Sequence, residues 1–203
     1  MKKISLYGAG GHCYAAVELI RSLGSYDPEV IYDDNPNATS ILGVPVQPTP
    51  SEPRAGDWCI SIGNNEHRAQ AGKRVIGDFP HFVHNSAVVY PSVKIGKGTL
   101  VHPNAVLDAD CSVGSLCIVN NNATISHNCR IDDYCHVAIQ AALAGGVTVG
   151  EGALLGAGCV VLPNIKIGKW ATVAAGAVVT RDVPDYAVVA GTPAQIIKYR
   201  THE

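Results

Sequence analysis

Several features that would point elsewhere are missing from this sequence. No CxxC pair occurs among its seven cysteines, so the commonest zinc spacing is absent. No apolar run approaches the roughly 20 residues that a membrane-spanning helix needs. The opening MKKISLYGAGGH has two lysines but no uninterrupted apolar segment, which argues against a secretory signal. Charge imbalance is lacking too. A net charge of -2 gives no basis for nucleic acid or an anionic membrane as partner. These absences set the expectation of a soluble, cytoplasmic chain with reduced cysteines. A length of 203 residues, 47% of them hydrophobic, allows one or two domains with a sizeable core.

What the sequence does have is a period of six. From Val83 onward an aliphatic residue opens each of seventeen consecutive sixes, through Val101, Val119, Val137 and Val161 to Val179. The fifth place of each six is small or β-branched, as at Ala87, Ala123, Ala141 and Ala177. Five cysteines (Cys111, Cys117, Cys129, Cys135, Cys159) fall in that column, where a thiol serves as a compact hydrophobe. A fixed short period marks a repeat architecture, and period six marks a parallel β-helix. Three sixes close one triangular coil of eighteen residues. Each coil buries its inward pair only when neighbours stack on it.

Residues 1–78 read differently. Strands are expected over 3–7, 30–32 and 58–62, with helices over 13–23 and 66–76 and a loop from Asp34 to about residue 56. Strand and helix alternate, which argues for a small Rossmann-like parallel sheet. Gly8-Ala9-Gly10-Gly11-His12 joins the first strand to the first helix. Such a turn aims backbone N–H groups at an anion. The dinucleotide fingerprint is incomplete, because Cys13 stands where its third glycine belongs. Taken alone, the turn fits either a phosphate site or a tight strand–helix connection. Asp33-Asp34 lies about where a ribose-binding acid would be.

The Gly-Gly-His turn, Asp33-Asp34, Gly63-Asn64-Asn65 and the following repeats form a specific combination. It resembles the sialic acid O-acetyltransferase and bacillosamine/perosamine N-acetyltransferase family of hexapeptide-repeat enzymes. The resemblance implies a left-handed β-helix over 79–203 that takes acetyl-CoA, with a C-terminal tail. It also implies a nucleotide-sugar domain over 1–78. Gly10, Gly11, His12, Asp33, Asp34, Gly63 and Asn64 would hold the nucleotide-linked sugar. His127 matches the family's catalytic histidine, beside Asn128, and His136 a histidine that contacts acetyl-CoA. Gly145, Gly146, Ala157, Gly158, Ala175 and Gly176 would line the same co-substrate path. No metal is expected. The implied reaction is acetylation of the 4-amino group of a nucleotide-linked 4-amino-4,6-dideoxy sugar. The alternative is O-acetylation of a sialic acid or similar hydroxyl.

Repeat arithmetic gives an independent test. Residues eighteen apart lie one above the other, so Gly145 and Gly146 stack on His127 and Asn128. This reading has the two glycines opening a groove beside the imidazole. Most relatives carry Asp or Glu after that histidine; Asn supplies no charge, so the base is weaker or another carboxylate assists. Ile139-Gln140 is a second departure, where relatives often have Pro-Gly. Of the three outward faces, one is polar (Lys94, Ser112, Arg130, Thr148, Lys166). A second face carries Val88, Val106, Thr124, Ala142, Val160 and Val178; a third carries Leu100, Ile118, His136, Leu154 and Thr172. Two apolar faces mark interfaces; the resemblance implies a cyclic homotrimer that buries both, with His136 at a subunit junction. Two rival classes remain: a zinc hydratase using His102, His127 and His136, and a non-catalytic sugar-binding scaffold.

Overall fold

The computed structural model describes residues 1–51 and 55–200. Part of the loop expected before residue 56 and the last three residues of the tail lie outside the described residues. The chain begins with a five-stranded sheet. Its elements are β1 (Lys2–Tyr7), α1 (Gly11–Leu23), β2 (Tyr26–Asp33), β3 (Ser40–Ile41), β4 (Val44–Pro48), β5 (Trp58–Ile60) and α2 (Asn65–Arg74). The spatial order is β3-β4-β2-β1-β5, with β1 parallel to both β2 and β5. Ile4 and Leu6 on β1 pack against Ala16, Val17 and Ile20 on α1. The β3–β4 hairpin corrects the expected loop. Ile41 and Val44 bury their side chains, and β4 adds to the sheet in parallel with β2. Leu42 and Gly43 turn the chain with positive φ values of 49° and 78°. A run rich in Asn, Pro and Thr concealed two short half-buried strands.

From Phe82 the chain winds as a parallel β-helix. Each repeat strand from Phe82 to Val160 pairs with the strand eighteen residues on, as Val106 with Thr124 and Ile118 with His136. Three sheets result, matching the three outward rows read from the sequence. We call them the valine face (Val88 to Val178), the lysine face (Lys94 to Lys166) and the histidine face (Leu100 to Thr172). All five inward cysteines and the inward aliphatics from Val101 onward, Ile165 excepted, are buried in one continuous core, with Val83, Val89 and Ile95 partly buried at its open end. Burial pushes the Cys129 thiol up to about 11 and that of Cys159 to about 12. These thiols are inert packing. A hairpin, Ala187–Gly191 with Ala194–Tyr199, extends the histidine face.

The N-terminal domain lies on part of the histidine face, so the chain itself covers the lower end of a row expected to meet another copy. Leu100 and Ile118 are buried inside the monomer, Leu100 in the same cluster as Ile4 and Cys13. Arg68 of α2 is 1% exposed and pins the two parts together. Its guanidinium donates to the carbonyls of Leu116 and Tyr134 on the β-helix, to those of Ile62 and Gly63, and to Asn65 Oδ1. Asn65 Nδ2 adds bonds to the carbonyls of Gly152 and Ala153. The valine face keeps Val88 and Val160 in solvent, at 51% and 38% exposure, and the hairpin that extends the histidine face leaves Ile196 and Ile197 exposed as well.

Candidate active site

A cleft of about 650 Å³ opens at the C-terminal ends of β1, β2 and β5. Parallel strands place ligand sites at that edge. All seven residues expected to hold the nucleotide sugar line it: Gly10, Gly11, His12, Asp33, Asp34, Gly63 and Asn64. Gly8 has φ +107°, and a β-carbon there would stand 2.3 Å from Ile62 Cγ1, so the turn requires glycine. A β-carbon at Gly10 or Gly11 would meet nothing within 4 Å, which leaves both open to the cleft. Cys13, at the place of the missing third glycine, is buried in the core below the turn.

The two aspartates differ in what they do. Asp33 accepts from the backbone N–H groups of Ala9 and Asn35, which pins the glycine turn to the end of β2. Asp34 accepts from Tyr7 Oη and Thr49 Oγ1, both at 2.7 Å, and from Arg74 at 2.9 Å. Arg74 first, then Tyr7 and Thr49, hold its carboxyl down to about 2. It is a fixed anion at the cleft wall. Asn64 serves twice: it faces the cleft and caps α2, accepting from the N–H of His67 at 3.0 Å.

His12 reaches from the cleft to the histidine face. Its ring lies 5.3 Å from that of His102 and 6.3 Å from that of His136. Burial, then His136 and Arg68, lower His12 to about 4; burial, then Arg68 and His102, lower His136 to about 4. His102, 2% exposed, is pushed down to about 3 by burial, His12 and His84. All three are neutral at pH 7. The buried Nε2 atoms of His12 and His102 have no hydrogen-bond partner. His136 pairs with Asn120 at 3.2 Å. Within one chain it lies at the junction of the two domains. A second cleft of about 540 Å³ adjoins the first through Gly63 and Asn64. Its floor is His136, Leu154, Thr172 and Val188, and Lys198 and Arg200 stand at its rim.

His127 lies elsewhere, on the exposed turn between the valine and lysine faces. Gly145 stacks over it, but the pair does not leave an empty groove. The imidazole itself occupies the space, because a β-carbon at 145 would stand 2.5 Å from His127 Cε1. Gly146 has φ +74° and abuts Asn164 one coil on. His127 Nδ1 meets Asn128 Oδ1 at 2.9 Å; that oxygen only accepts, so the bond calls for the tautomer with the proton on Nδ1 and the lone pair on Nε2. Asn128 Nδ2 donates to Asp110 Oδ2 at 2.9 Å.

One chain does not bring the expected residues into one place. Ala157-Gly158 and Ala175-Gly176 form the corner between the histidine and valine faces. Gly145 and Gly146 form the corner between the valine and lysine faces, with His127. In a three-sided coil that second corner lies across the β-helix from the histidine face and its clefts. His102 and His136 share the histidine face, and His127 cannot converge with them within one chain. Among the described residues no group of three His, Cys, Asp or Glu side chains could hold a metal ion. Two residues escaped the sequence reading. Asp110 is eighteen residues before Asn128, so the repeat arithmetic would have found it. Arg68 gave no signal, since a helix arginine reads as solvated.

Residues 3–75 match the PglD N-terminal domain family, and residues 92–127 and 146–181 match the bacterial transferase hexapeptide repeats. Comparison with curated proteins finds no match. Among solved structures, the chain is similar to a mutant of perosamine N-acetyltransferase from Caulobacter crescentus in complex with CoA and GDP-perosamine. The two are 34% identical over 98% of each chain, with a TM-score of 0.90. The acetyltransferase domain of PglB from Neisseria gonorrhoeae, in complex with acetyl coenzyme A, is 34% identical over 97% of this chain and 99% of that one, with a TM-score of 0.90. WeeI from Acinetobacter baumannii is 28% identical over 97% of this chain and 100% of that one, with a TM-score of 0.85.

Proposed function

Because the chain belongs to the family of hexapeptide-repeat acetyltransferases with a PglD-type N-terminal domain, we propose that it acetylates a 4-amino-4,6-dideoxy sugar carried on a nucleoside diphosphate. Acetyl-CoA is the acetyl donor. One observation carries the substrate class: all seven residues assigned to the nucleotide sugar line a single cleft. Gly10 and Gly11 leave room for phosphates, and the adjoining apolar cleft suits the thin arm of a thioester; of the cations at its rim, Lys198 is a partner for the phosphates, while Arg200 is paired with Glu66.

The chemistry follows from His127. Its Nε2 lone pair takes a proton from the sugar amine as nitrogen bonds to the thioester carbon. The carbon–sulfur bond then breaks, and the same proton passes to the leaving sulfur. The products are the N-acetyl sugar and free CoA. A backbone N–H or the neutral imidazole of His136 stabilises the oxygen that gains charge. No cysteine is exposed to act as a nucleophile among the described residues.

His127 and the cleft lie on opposite sides of one β-helix, so the site is read as shared between copies in a cyclic homotrimer. The apolar valine face has His127 at one edge and Gly158 and Gly176 at the other. Assembly around that face turns His127 of one copy toward the clefts of the next. The test is thiol release from acetyl-CoA with UDP-, GDP- and dTDP-linked 4-amino-4,6-dideoxy sugars, wild type beside His127→Ala. Turnover with one sugar, lost in the variant, is expected. Turnover only with a hydroxyl acceptor overturns the amine reading, and a monomer in sedimentation equilibrium overturns the shared site.

A further inference from the structure

We propose that Asp110 is a positioning residue for His127, acting through the side-chain amide of Asn128. The proposal rests on the reading of His127 as the base. The three side chains form one line across two coils. His127 Nδ1 meets Asn128 Oδ1 at 2.9 Å, and Asn128 Nδ2 meets Asp110 Oδ2 at 2.9 Å.

Direction is what the line supplies. A side-chain amide has a donor end and an acceptor end, and nothing intrinsic decides which faces a neighbour. With its nitrogen toward His127, the amide would donate to Nδ1 and leave the proton on Nε2. That tautomer cannot accept a proton from an amine. An ionised carboxylate accepts only, so Asp110 takes the nitrogen end and turns Oδ1 to the imidazole. The proton then stays on Nδ1, and Nε2 remains the free base. When Nε2 takes the amine proton, the Nδ1–H bond to Asn128 holds the ring in place until the proton leaves with sulfur. Hydrogen bonds in a chain also polarise one another, which strengthens the bond to Nδ1 as the ring becomes cationic.

Asp110 is itself held. Arg130 donates to the same Oδ2 at 2.9 Å and also to the backbone carbonyl of Asp110. The Arg130 bond first, then the one from Asn128, lower the Asp110 carboxyl below its ordinary range, with Lys94 as the next nearby cation. Asp110 and Asn128 both have left-handed backbone, φ 57° and 59°, a conformation that Asp and Asn tolerate alike. The amide and the carboxylate can therefore change places without backbone strain.

The exchange is the test. In Asp110→Asn, two amides face each other and neither end is fixed. The expected result is a loss in kcat of about tenfold or more, as for a base that spends time in the wrong tautomer, with KM for the nucleotide sugar unchanged. In the double variant D110N/N128D the carboxylate meets Nδ1 directly and the amide one coil below donates to it, so kcat returns. The ¹⁵N spectrum of the His127 ring, assigned by difference from His127→Ala, is expected to show the Nδ1–H form in wild type and in the double variant, and a mixture in Asp110→Asn. Wild-type kcat and an unmixed ring in Asp110→Asn overturn the proposal. So does a double variant that melts like wild type but recovers nothing. If wild type turns over no nucleotide amino sugar, the proposed function fails, and the ring spectrum alone still decides the role of Asp110.

Discussion

A β-carbon on residue 145 would stand 2.5 Å from Cε1 and 2.7 Å from Nε2 of His127, so glycine and imidazole form one packed pair on successive coils. The clash in Gly145→Ala falls on an exposed ring that can rotate away, so the fold survives. The expected outcome is an unchanged melting temperature and a kcat lowered by about tenfold to a hundredfold, the range of a misplaced general base. Steady-state kinetics beside a thermal melt check it. Unaltered kcat would mean that the ring orientation seen here is not the working one.

Asn128→Asp changes a different quantity. The new carboxylate meets Nδ1 on one side and the Asp110 carboxylate, held by Arg130, on the other; both anions stabilise the imidazolium, so the ring holds its proton to higher pH. A base must be unprotonated to act, and the acid limb of the kcat/KM profile is therefore expected to move up in pH. Activity above that limb persists. The comparison is a pH–rate profile of each form, and superimposable limbs would remove Asn128 from contact with the base during turnover.

The β-helix was legible because its physics is local and periodic. One aliphatic and one small residue per six define every inward position, and Cys129 or Ala141 is buried wherever the column says. The cleft was legible because Gly10, Gly11 and Asp33-Asp34 stand at strand ends, where a parallel sheet opens. What could not be read was how the two parts dock. Leu100, Ile118 and His136 form an apolar row that either a second copy or the chain's own domain could cover. The deciding contact is Arg68, and an arginine among Glu66, His67 and Gln70 carries no sign that it will be buried. Asp110 lay within reach of the same arithmetic that paired His127 with Gly145, counted one coil in the other direction.

Arg68 predicts a stability effect. Its buried guanidinium satisfies carbonyls on both domains, including those of Leu116, Gly63 and Tyr134. Burial lowers it only to about 10, so it is charged at neutral pH. Arg68→Ala orphans these acceptors and is expected to cost on the order of 3 kcal/mol or more in urea unfolding. Arg68→Lys keeps the charge but offers three donors without the planar fork, and is expected to fall between the two. KM for the nucleotide sugar rises in both, because Gly63 lines the cleft. Stability within experimental error of wild type for Arg68→Ala would show that the domains dock without this clamp.

The histidines at the domain junction predict how that docking responds to acid. His12 and His136 are lowered to about 4 and His102 to about 3, from an ordinary value of 6.5. Below pH 6.5 the unfolded chain takes up protons that the folded chain refuses, so the linked stability is present in full above pH 6.5. It is lost as pH falls toward 4 and then 3. Each refused proton costs about 1.4 kcal/mol per pH unit. Asp34 acts in a lower window, from its ordinary 3.8 down to about 2, and does not obscure the effect. His102→Phe keeps an aromatic ring against His12, removes one proton site and removes the unpartnered Nε2. The variant is expected to be at least as stable as wild type at pH 7. Its loss of stability between pH 6.5 and 4 should be shallower by about one proton, or about 1.4 kcal/mol per pH unit. Urea unfolding at a series of pH values measures both slopes. Parallel slopes would mean that His102 can take a proton within the folded chain, through local opening of the junction, and that the three rings are not held dry by the docked domain.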